Sequence, residues 1–481
     1  MFGFYLRKEA EKVLTIAYAA EKEKKMVHAF HMKDKYIALD VNSGCVHVVD
    51  KLTFDVISYM CDNDLLPTDA DKDKVFASFN DSGKSDLQEV WDDITELYKK
   101  DALFSKDEYA DIAANLKHTS PVKALCLHVS HDCNLRCEYC FADEGAYHNR
   151  RELMSAETGK KAMDFLIKHS ASRRNLEVDF FGGEPLMNFG VVKEVVEYAR
   201  EQEKIYDKNF RFTVTTNGVL LNDNNIDYIN KNMSNVVLSI DGRKEVNDRV
   251  RCRVDGSGSY DSILPKLLKV AESRNQDNYY VRGTFTRYNL DFSNDVLHLA
   301  DLGFKQTSVE PVVSEPDAPY SIREQDLPLI YDEYEKLVDE YIQRKKDGNG
   351  FNFFHFMIDL DQGPCVIKRL SGCGAGCEYL AVAPNGDVYP CHQFVGNEEY
   401  KMGSIDSDDI DQKIRKTFEN CNVYTKPKCR ECFAKFYCSG GCMANACLLN
   451  GDINEPHEIS CKLQRKRVEC SLYAKAKEAE A

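Results

Sequence analysis

Residues 124–140, ALCLHVSHDCNLRCEYC, join an apolar run to three closely spaced cysteines. Residues 124–130 form an apolar run typical of a buried strand. Cys133, Cys137 and Cys140 follow that run at once, separated by three and then by two residues. Three thiolates on one loop can hold three irons of a four-iron cube and leave the fourth iron open. A structural zinc knuckle is the alternative interpretation, but zinc normally takes a fourth protein ligand, and no Cys or His follows closely enough to supply it.

Apolar strands alternate with longer helical stretches after this point in the chain. The expected strands are 124–130, 176–181, 210–215, 236–240, 279–285 and 306–311. The expected helices between them are 156–170, 190–204, 224–231, 260–274 and 292–302. Repeated βα units predict an α/β fold with a parallel sheet. Six units close only part of the eight-unit barrel, so we expect a partial (β/α)6 barrel.

Composition narrows the function classes. The chain has 481 residues, 43% of them hydrophobic, and a net charge of −16. This composition excludes a disordered chain, and the excess of acid argues against nucleic-acid binding. Neither a membrane span nor a secretory signal is evident, so we expect a cytoplasmic protein with no membrane partner. Twelve of the 19 cysteines lie between Cys365 and Cys470. In a reducing compartment such a cluster indicates metal or iron–sulfur ligation rather than disulfides.

Three short motifs lie where successive expected strands end. Residues 180–185 are FFGGEP, residues 215–218 are TTNG, and residues 239–242 are SIDG. Paired glycines let the backbone approach a ligand, and Glu184 offers an acceptor for an ammonium group. The carboxyl ends of strands in βα folds are where ligands bind. A lone GGEP could be an ordinary turn, but its place at a strand end favours a binding site.

The loop cysteines and these motifs together resemble the radical SAM superfamily, in which S-adenosylmethionine (SAM) chelates the open iron of a 4Fe–4S cluster. The resemblance implies that Ser239 and Asp241 bond the ribose and that Arg251 pairs with the SAM carboxylate, although Arg251 could instead be a surface charge. Tyr139 resembles the residue beside the adenine. The full implied set of SAM-binding residues is Tyr139, Gly182, Gly183, Glu184, Pro185, Asn217, Ser239, Asp241 and Arg251.

A second group of cysteines follows residue 364. Its spacing is Cys-x12-Gly-x4-Cys, then Cys-x2-Cys-x5-Cys-x3-Cys, then a last Cys. Zinc ribbons are one interpretation of such pairs. The pattern resembles the SPASM extension of radical SAM enzymes, which implies two auxiliary 4Fe–4S clusters. By this resemblance the first auxiliary set is Cys373, Cys391 and Cys442, and the second auxiliary set is Cys429, Cys432, Cys438 and Cys461. The fourth ligand of the first set is Cys365, with Cys377 or a substrate thiolate as alternatives.

The N-terminal part predicts a small α+β module. Strands are expected at 28–31, 36–41 and 45–49, and helices at 51–62, 69–79 and 84–100. The module resembles the winged-helix-like RiPP recognition element, which captures the leader of a precursor peptide; an accessory dimerisation or lid domain is the alternative. The expected domains are an extension (1–25), this element (26–110), the barrel (118–345), the SPASM domain (346–472) and a charged tail (473–481).

Several stretches, among them VHAFHMKDKYIALDVNSGCVHVVD and SGCGAGCEYLAVAPNGDVYPCHQFVG, resemble the SCIFF maturases. Those enzymes act on a cysteine-rich precursor peptide and form thioether bridges from a cysteine sulfur to a carbon of another residue. The resemblance implies SAM, three 4Fe–4S clusters and an electron donor such as ferredoxin or flavodoxin. The alternatives are a sulfatase-maturating enzyme, whose aspartate base is replaced here by His392, and a non-catalytic iron–sulfur electron carrier. His392 is interpreted as structural, with proton transfer as the other possibility.

Overall fold

A computed structural model describes residues 26–80, 82–115, 120–147, 151–360, 366–407 and 409–480. The expected N-terminal extension, residues 1–25, and the expected ligand Cys365 lie outside the described residues. No helix in the described part of the chain is long and apolar enough to cross a membrane.

The N-terminal module contains the three strands and three helices that the sequence predicts. Its antiparallel sheet has the order β1-β2-β3, and Gly44, in the turn before β3, has a φ of +77°. One buried cluster, which includes Trp91, joins the sheet to the helices. The elements are β1 (Val27–Met32), β2 (Lys35–Asp40), β3 (Val46–Val49), α1 (Lys51–Asp62), α2 (Asp69–Ser78), α3 (Lys84–Lys99) and a further short helix, α4 (Tyr109–Asn115).

Six parallel strands form the centre of the molecule, and each begins and ends within one residue of its expected position. They lie side by side in the order β11-β10-β8-β7-β6-β4. All seven residues of β4 are buried, as expected for a strand covered on both faces. The strands are β4 (Ala124–Ser130), β6 (Asn175–Gly182), β7 (Asn209–Thr216), β8 (Asn235–Ser239), β10 (Tyr279–Phe285) and β11 (Gln306–Pro311).

Helices connect these strands as the βα pattern predicts. Each expected helix is present within two residues of its predicted limits. Their buried residues recur on one face, which packs on the sheet. The connecting helices are α5 (Ala156–His169), α6 (Phe189–Tyr206), α7 (Asp223–Asn232), α8 (Lys244–Val250), α9 (Tyr260–Ser273), α10 (Ser293–Asp301) and α11 (Leu327–Lys346).

The sheet is wider than the six expected strands. A short strand, β12, adds in parallel to β11, and β13 adds in parallel to β4 at the other edge. Three antiparallel strands follow β13, so the cysteine-rich region continues the central sheet, which has eleven strands in all. The added strands are β12 (Asn352–Phe353), β13 (Tyr379–Val382), β14 (Asp387–Tyr389), β15 (Gly403–Ser404) and β16 (Asp409–Ile410).

Short helices and one long helix complete the C-terminal region. Residues 473–479, in the expected charged tail, are the last part of the long helix α17, and Lys477 contacts Asp34 at 3.0 Å. That contact ties the end of the chain to the N-terminal module. The helices are α12 (Val366–Ser371), α13 (Gln412–Glu419), α14 (Pro427–Arg430), α15 (Lys435–Cys438), α16 (Met443–Asn450) and α17 (Glu458–Ala479).

Candidate functional site

The three loop cysteines follow β4, at the carboxyl end of the sheet. The pKa of Cys133 is raised to about 11, mainly by burial and then by the Glu184 carboxylate and the Cys140 thiolate. The pKa of Cys137 is raised to about 12, mainly by burial, with the Cys140 and Cys133 thiolates contributing. The free thiols are therefore neutral near pH 7, and binding to iron would have to displace their protons. Within the described ranges, no three His, Cys, Asp or Glu side chains are close enough together to hold a single metal ion.

A two-stranded ribbon, which the sequence analysis missed, holds this loop. Strand β5 (Leu135–Cys137) pairs antiparallel with β9 (Arg251–Arg253), and Cys137 lies opposite Arg251. The main chain of the cysteine loop is thereby fixed to the segment that carries the expected SAM-binding arginine. Strands of three residues are too short to show a period in the sequence, so no pattern could have predicted the pairing.

Tyr139, Asp241 and Arg251 contact one another. The Tyr139 hydroxyl donates to an Asp241 carboxylate oxygen at 2.7 Å and accepts from the Arg251 guanidinium at 2.7 Å. The Asp241 carboxylate also accepts from the Thr284 amide at 3.0 Å and is fully buried. The residues expected to contact adenine, ribose and carboxylate thus form one hydrogen-bonded group. The Nε atom of Arg251 is buried without a partner, so it remains free to donate to a ligand.

Gly182 and Gly183 allow a close approach of protein backbone. A Cβ atom on Gly182 would lie 2.2 Å from the Ser130 oxygen, and one on Gly183 would lie 2.2 Å from the Asp132 oxygen. The Gly183 amide donates to the Ser130 oxygen at 2.8 Å. The sequence analysis predicted that these glycines approach a ligand, but their close contacts are with the cysteine loop. Their small size allows that loop to pack against the end of β6.

Glu184 is fully buried and accepts three hydrogen bonds within the protein. One carboxylate oxygen accepts from the Leu186 amide at 3.0 Å and from the Thr216 hydroxyl at 2.8 Å; the other accepts from the Asn217 amide at 2.8 Å. Burial raises the pKa of Glu184, against the lowering effect of these bonds. A carboxylate has about four acceptor positions, so one remains for an ammonium group. Pro185 is buried beside it.

Asn134 is a site residue that the sequence analysis did not single out. Its side-chain oxygen accepts from the Asn217 amide group at 2.8 Å, and its own Nδ2 is buried without a partner. Ser239 ends β8 and is partly buried. Two unpartnered donors, on Asn134 and Arg251, therefore lie in the loop and ribbon that carry the cysteines. A ligand with carboxylate and hydroxyl oxygens would satisfy them, which fits SAM.

The C-terminal cysteines fall into two electrostatic groups. The pKa of Cys391 is raised by burial and then by the thiolates of Cys442 and Cys373. The pKa of Cys461 is raised to about 12, first by burial and then by Cys438 and other charges, including Cys432. Burial likewise raises the pKa of Cys429 to about 12, with Cys438, Cys461 and Cys432 adding to the rise. These groups have the composition of the first and second auxiliary sets, each with the soft donors that iron–sulfur clusters take.

Cys377 is buried on the loop that follows Cys373. Burial raises the pKa of its thiol to about 12, and the Cys373 thiolate adds to this rise. Because Cys365 lies outside the described residues, the choice of a fourth ligand stays a prediction.

His392 packs between the barrel and the C-terminal region. Its ring lies 5.1 Å from that of Phe181 and 5.7 Å from that of Phe141, centroid to centroid, and its Nδ1 lies 3.3 Å from the Tyr379 hydroxyl. Burial lowers the pKa of His392 to about 4. The ring is therefore neutral near pH 7 and lies close to the cysteine loop, since Phe141 follows Cys140 directly.

Comparisons with known proteins agree with this arrangement. Residues 123–263 match the family model of a 4Fe–4S single cluster domain, and residues 373–433 match SPASM, an iron–sulfur cluster-binding domain. The matches support the radical SAM/SPASM family. Across 87% of this chain and 88% of the relative, the sequence is 23% identical to the radical SAM cyclopropyl synthase TigE of Paramaledivibacter caminithermalis. The first match contains the three loop cysteines, and the second contains the C-terminal cysteines from Cys373 to Cys432.

A further relative is a sulfatase-maturating enzyme, and a solved structure shares the fold. The chain is 25% identical to the cysteine-type anaerobic sulfatase-maturating enzyme of Clostridium novyi, over 66% of this chain and 86% of the relative. The solved structure of native anSMEcpe with bound AdoMet and Cp18Cys peptide aligns with a TM-score of 0.60 and 18% identity, over 75% of this chain and all of that one. This likeness shows the shared fold, an α/β architecture with a large central sheet.

Proposed function

We propose that this protein is a radical SAM peptide maturase that forms thioether bridges within a cysteine-rich precursor peptide. The observation that carries the proposal is the convergence of three cysteines, a buried carboxylate and two unpartnered donors at the carboxyl end of one sheet. The same sheet continues into the region that contains the two further cysteine groups. When bound there, a 4Fe–4S cluster supplies one electron for reductive cleavage of SAM to methionine and a 5′-deoxyadenosyl radical.

The residues of the chain bind and orient the reactants. Cys133, Cys137 and Cys140 hold the cluster, Glu184 accepts from the SAM ammonium, and Arg251 donates to the carboxylate. The ribbon of β5 and β9 keeps the cluster loop and Arg251 in one register, because Cys137 and Arg251 are paired residues. The second and first auxiliary sets hold the other two clusters, and the reducing electron comes from a donor such as ferredoxin or flavodoxin.

The N-terminal module supplies a surface for the leader of the peptide. Strand β3 is the edge of its sheet, and the Val48 side chain is 49% exposed. An extended peptide can add to such an edge through main-chain hydrogen bonds. The other edge strand, β1, contacts α17 through the His28 ring and the Glu469 carboxylate, which lie 3.0 Å apart. Among the described residues no strand pairs with the outer side of β3, which favours leader binding there.

Sulfatase maturation is the second candidate function, and the sulfatase-maturating relatives favour it. It needs a base near the substrate carbon. His392 stands where the sulfatase-maturating branch has its aspartate base. Its ring is neutral near pH 7, but a pKa of about 4 makes it a weak base. Thioether formation needs no separate strong base, since a thiolate bound to iron is already deprotonated.

Mass spectrometry of a co-expressed cysteine-rich peptide separates these functions. A thioether bridge removes two hydrogens and consumes one free thiol, whereas formylglycine formation removes the sulfur from the residue. We expect a product that is lighter by two hydrogens per bridge and that fails to alkylate at the bridged cysteines. The matched control is the Cys133→Ala enzyme, which should return unmodified peptide. A wild-type product that alkylates at every cysteine would rule out crosslinking.

A further inference from the structure

Lys426 is buried against the turn that joins the two auxiliary sets. Only 1% of its surface is exposed, and it precedes α14, which carries Cys429. Its ammonium group donates to the Gly440 oxygen at 2.8 Å. Gly440 lies in the turn between Cys438, of the second auxiliary set, and Cys442, of the first. The ammonium group therefore lies beside the segment that joins the two sets.

This ammonium group has no carboxylate partner within 4 Å among the described residues. The nearby Lys435 makes the contrast clear, because it is 3% exposed and pairs with Asp107 at 3.1 Å. A buried charge is costly unless an opposite charge or a metal-bound anion compensates for it. The surroundings of Lys426 must therefore supply the negative charge. Its side chain hydrogen-bonds the Cys421 side chain, which belongs to neither set, and lies against the turn between the ligands Cys438 and Cys442.

The main chain also places Lys426 beside ligands of both sets. Its oxygen accepts from the amide of Cys429, of the second auxiliary set, at 3.0 Å. The Cys438 oxygen accepts from the Gly441 amide at 3.4 Å, and this turn leads directly to Cys442, of the first auxiliary set. One ammonium group therefore lies against the segment that carries ligands of both auxiliary sets.

We infer that Lys426 is the shared counter-cation of the two auxiliary clusters and raises the reduction potential of both. This inference rests on the ligand sets of the proposed function. Reduction by one electron makes a cluster more negative by one charge, so a fixed cation in a medium of low dielectric constant stabilises the reduced state. Net charge and hydrogen bonding around the sulfurs are among the main determinants of such potentials. Lys426 is a positioning residue, since it acts on the clusters and touches no substrate.

A higher potential suits the electron balance of thioether formation. The peptide thiolate brings an electron pair and the substrate carbon radical brings one electron, while the new C–S bond holds two. The third electron must leave, and an oxidised auxiliary cluster can accept it. By favouring the reduced state of the clusters, Lys426 favours this transfer over the reverse reaction.

Redox titration of the auxiliary clusters alone tests the inference. The background protein is the full-length chain with Cys133, Cys137 and Cys140 changed to Ala. It lacks the SAM-binding cluster, so only the auxiliary clusters give a signal. On that background we compare Lys426→Met with Lys426→Arg, which keeps the charge. The matched control is Lys435→Met with Asp107→Asn, because it removes an equally buried lysine without changing the net charge. The readouts are iron content and the midpoint potentials from titration followed by electron paramagnetic resonance.

We expect Lys426→Met to shift both midpoint potentials to more negative values, with Lys426→Arg and the Lys435 control close to the background. If Lys426→Met fails to load iron, retention of iron by Lys426→Arg supports the role of the charge. Loss of iron from both Lys426 variants would indicate a packing role and overturn the inference. Unchanged potentials, or a shift in one cluster alone, would overturn it too. A background chain without iron would instead refute the auxiliary clusters themselves, independently of crosslinking.

Discussion

The two cysteine regions are built in different ways. The loop that carries Cys133 to Cys140 follows a fully buried central strand, pairs with a second segment, and rests on Gly182 and Gly183. The auxiliary cysteines lie on short helices and turns and, for Cys461, in the long helix α17, and the buried Lys426 contacts the turn between Cys438 and Cys442. The first region is therefore shaped by the sheet before any metal binds, whereas the second depends on its clusters for compensation of charge.

The largest effect should come from the loop cysteines. Changing Cys133, Cys137 or Cys140 to Ala should abolish formation of 5′-deoxyadenosine, because the iron that binds SAM is lost. The thermal unfolding temperature should stay close to wild type, since the sheet and not the cluster holds this loop. Iron analysis, product chromatography and a melting curve measure the three quantities. A large drop in melting temperature would contradict the proposed difference between the two regions.

Loss of an auxiliary ligand should separate SAM cleavage from crosslinking. In Cys438→Ala we expect some 5′-deoxyadenosine to form while thioether formation stops, because the electron acceptor is damaged. Iron content should fall by about four atoms per chain. Full crosslinking by Cys438→Ala would refute this division of labour, and Cys470→Ala, which changes a buried cysteine outside both sets, is the control.

Removal of iron should affect the two regions unequally. A chelator should increase amide hydrogen exchange in residues 429–450, where the thiolates and Lys426 lose their compensating charge, more than in residues 124–137. The reason is that local stability follows the buried contacts and hydrogen bonds that remain. Mass spectrometry of exchanged peptides reads both segments in one experiment. Equal deprotection of the two segments would show that the cluster also shapes the first region.

The smallest effect should come from Gly183, which lies in close contact with the cysteine loop. Gly183→Ala should destabilise the protein by about 1–3 kcal/mol, because the new methyl group collides with the Asp132 oxygen. Gly190→Ala is the control: it lies in α6, where a Cβ meets nothing within 4 Å. Denaturant unfolding measures both. If the Gly183→Ala protein were as stable as the Gly190→Ala protein, the close contact of Gly183 with the cysteine loop would not be needed for stability.

The sequence predicts the regular parts of this molecule well for a physical reason. Central strands such as β4 are continuous apolar runs between longer amphipathic helices, so their limits are evident from hydrophobicity. The strands of the ribbon, β5 and β9, are too short to show a hydrophobic period in the sequence. Lys426, in TKPKCRE, has the appearance of a solvated charge, and only the folded chain shows that it is buried. The hydrogen bonds that Glu184 accepts within the protein, and the place of Asn134 in the site, likewise depend on contacts between distant segments.

The most direct test of the account is a single anaerobic reaction of the reduced protein with SAM and its cysteine-rich peptide. Both 5′-deoxyadenosine and lost peptide thiols are counted in that reaction. We predict one 5′-deoxyadenosine for each thiol that is lost, with a matching loss of two hydrogens from the peptide. An iron-loaded protein that forms no 5′-deoxyadenosine would contradict the account and favour an electron carrier.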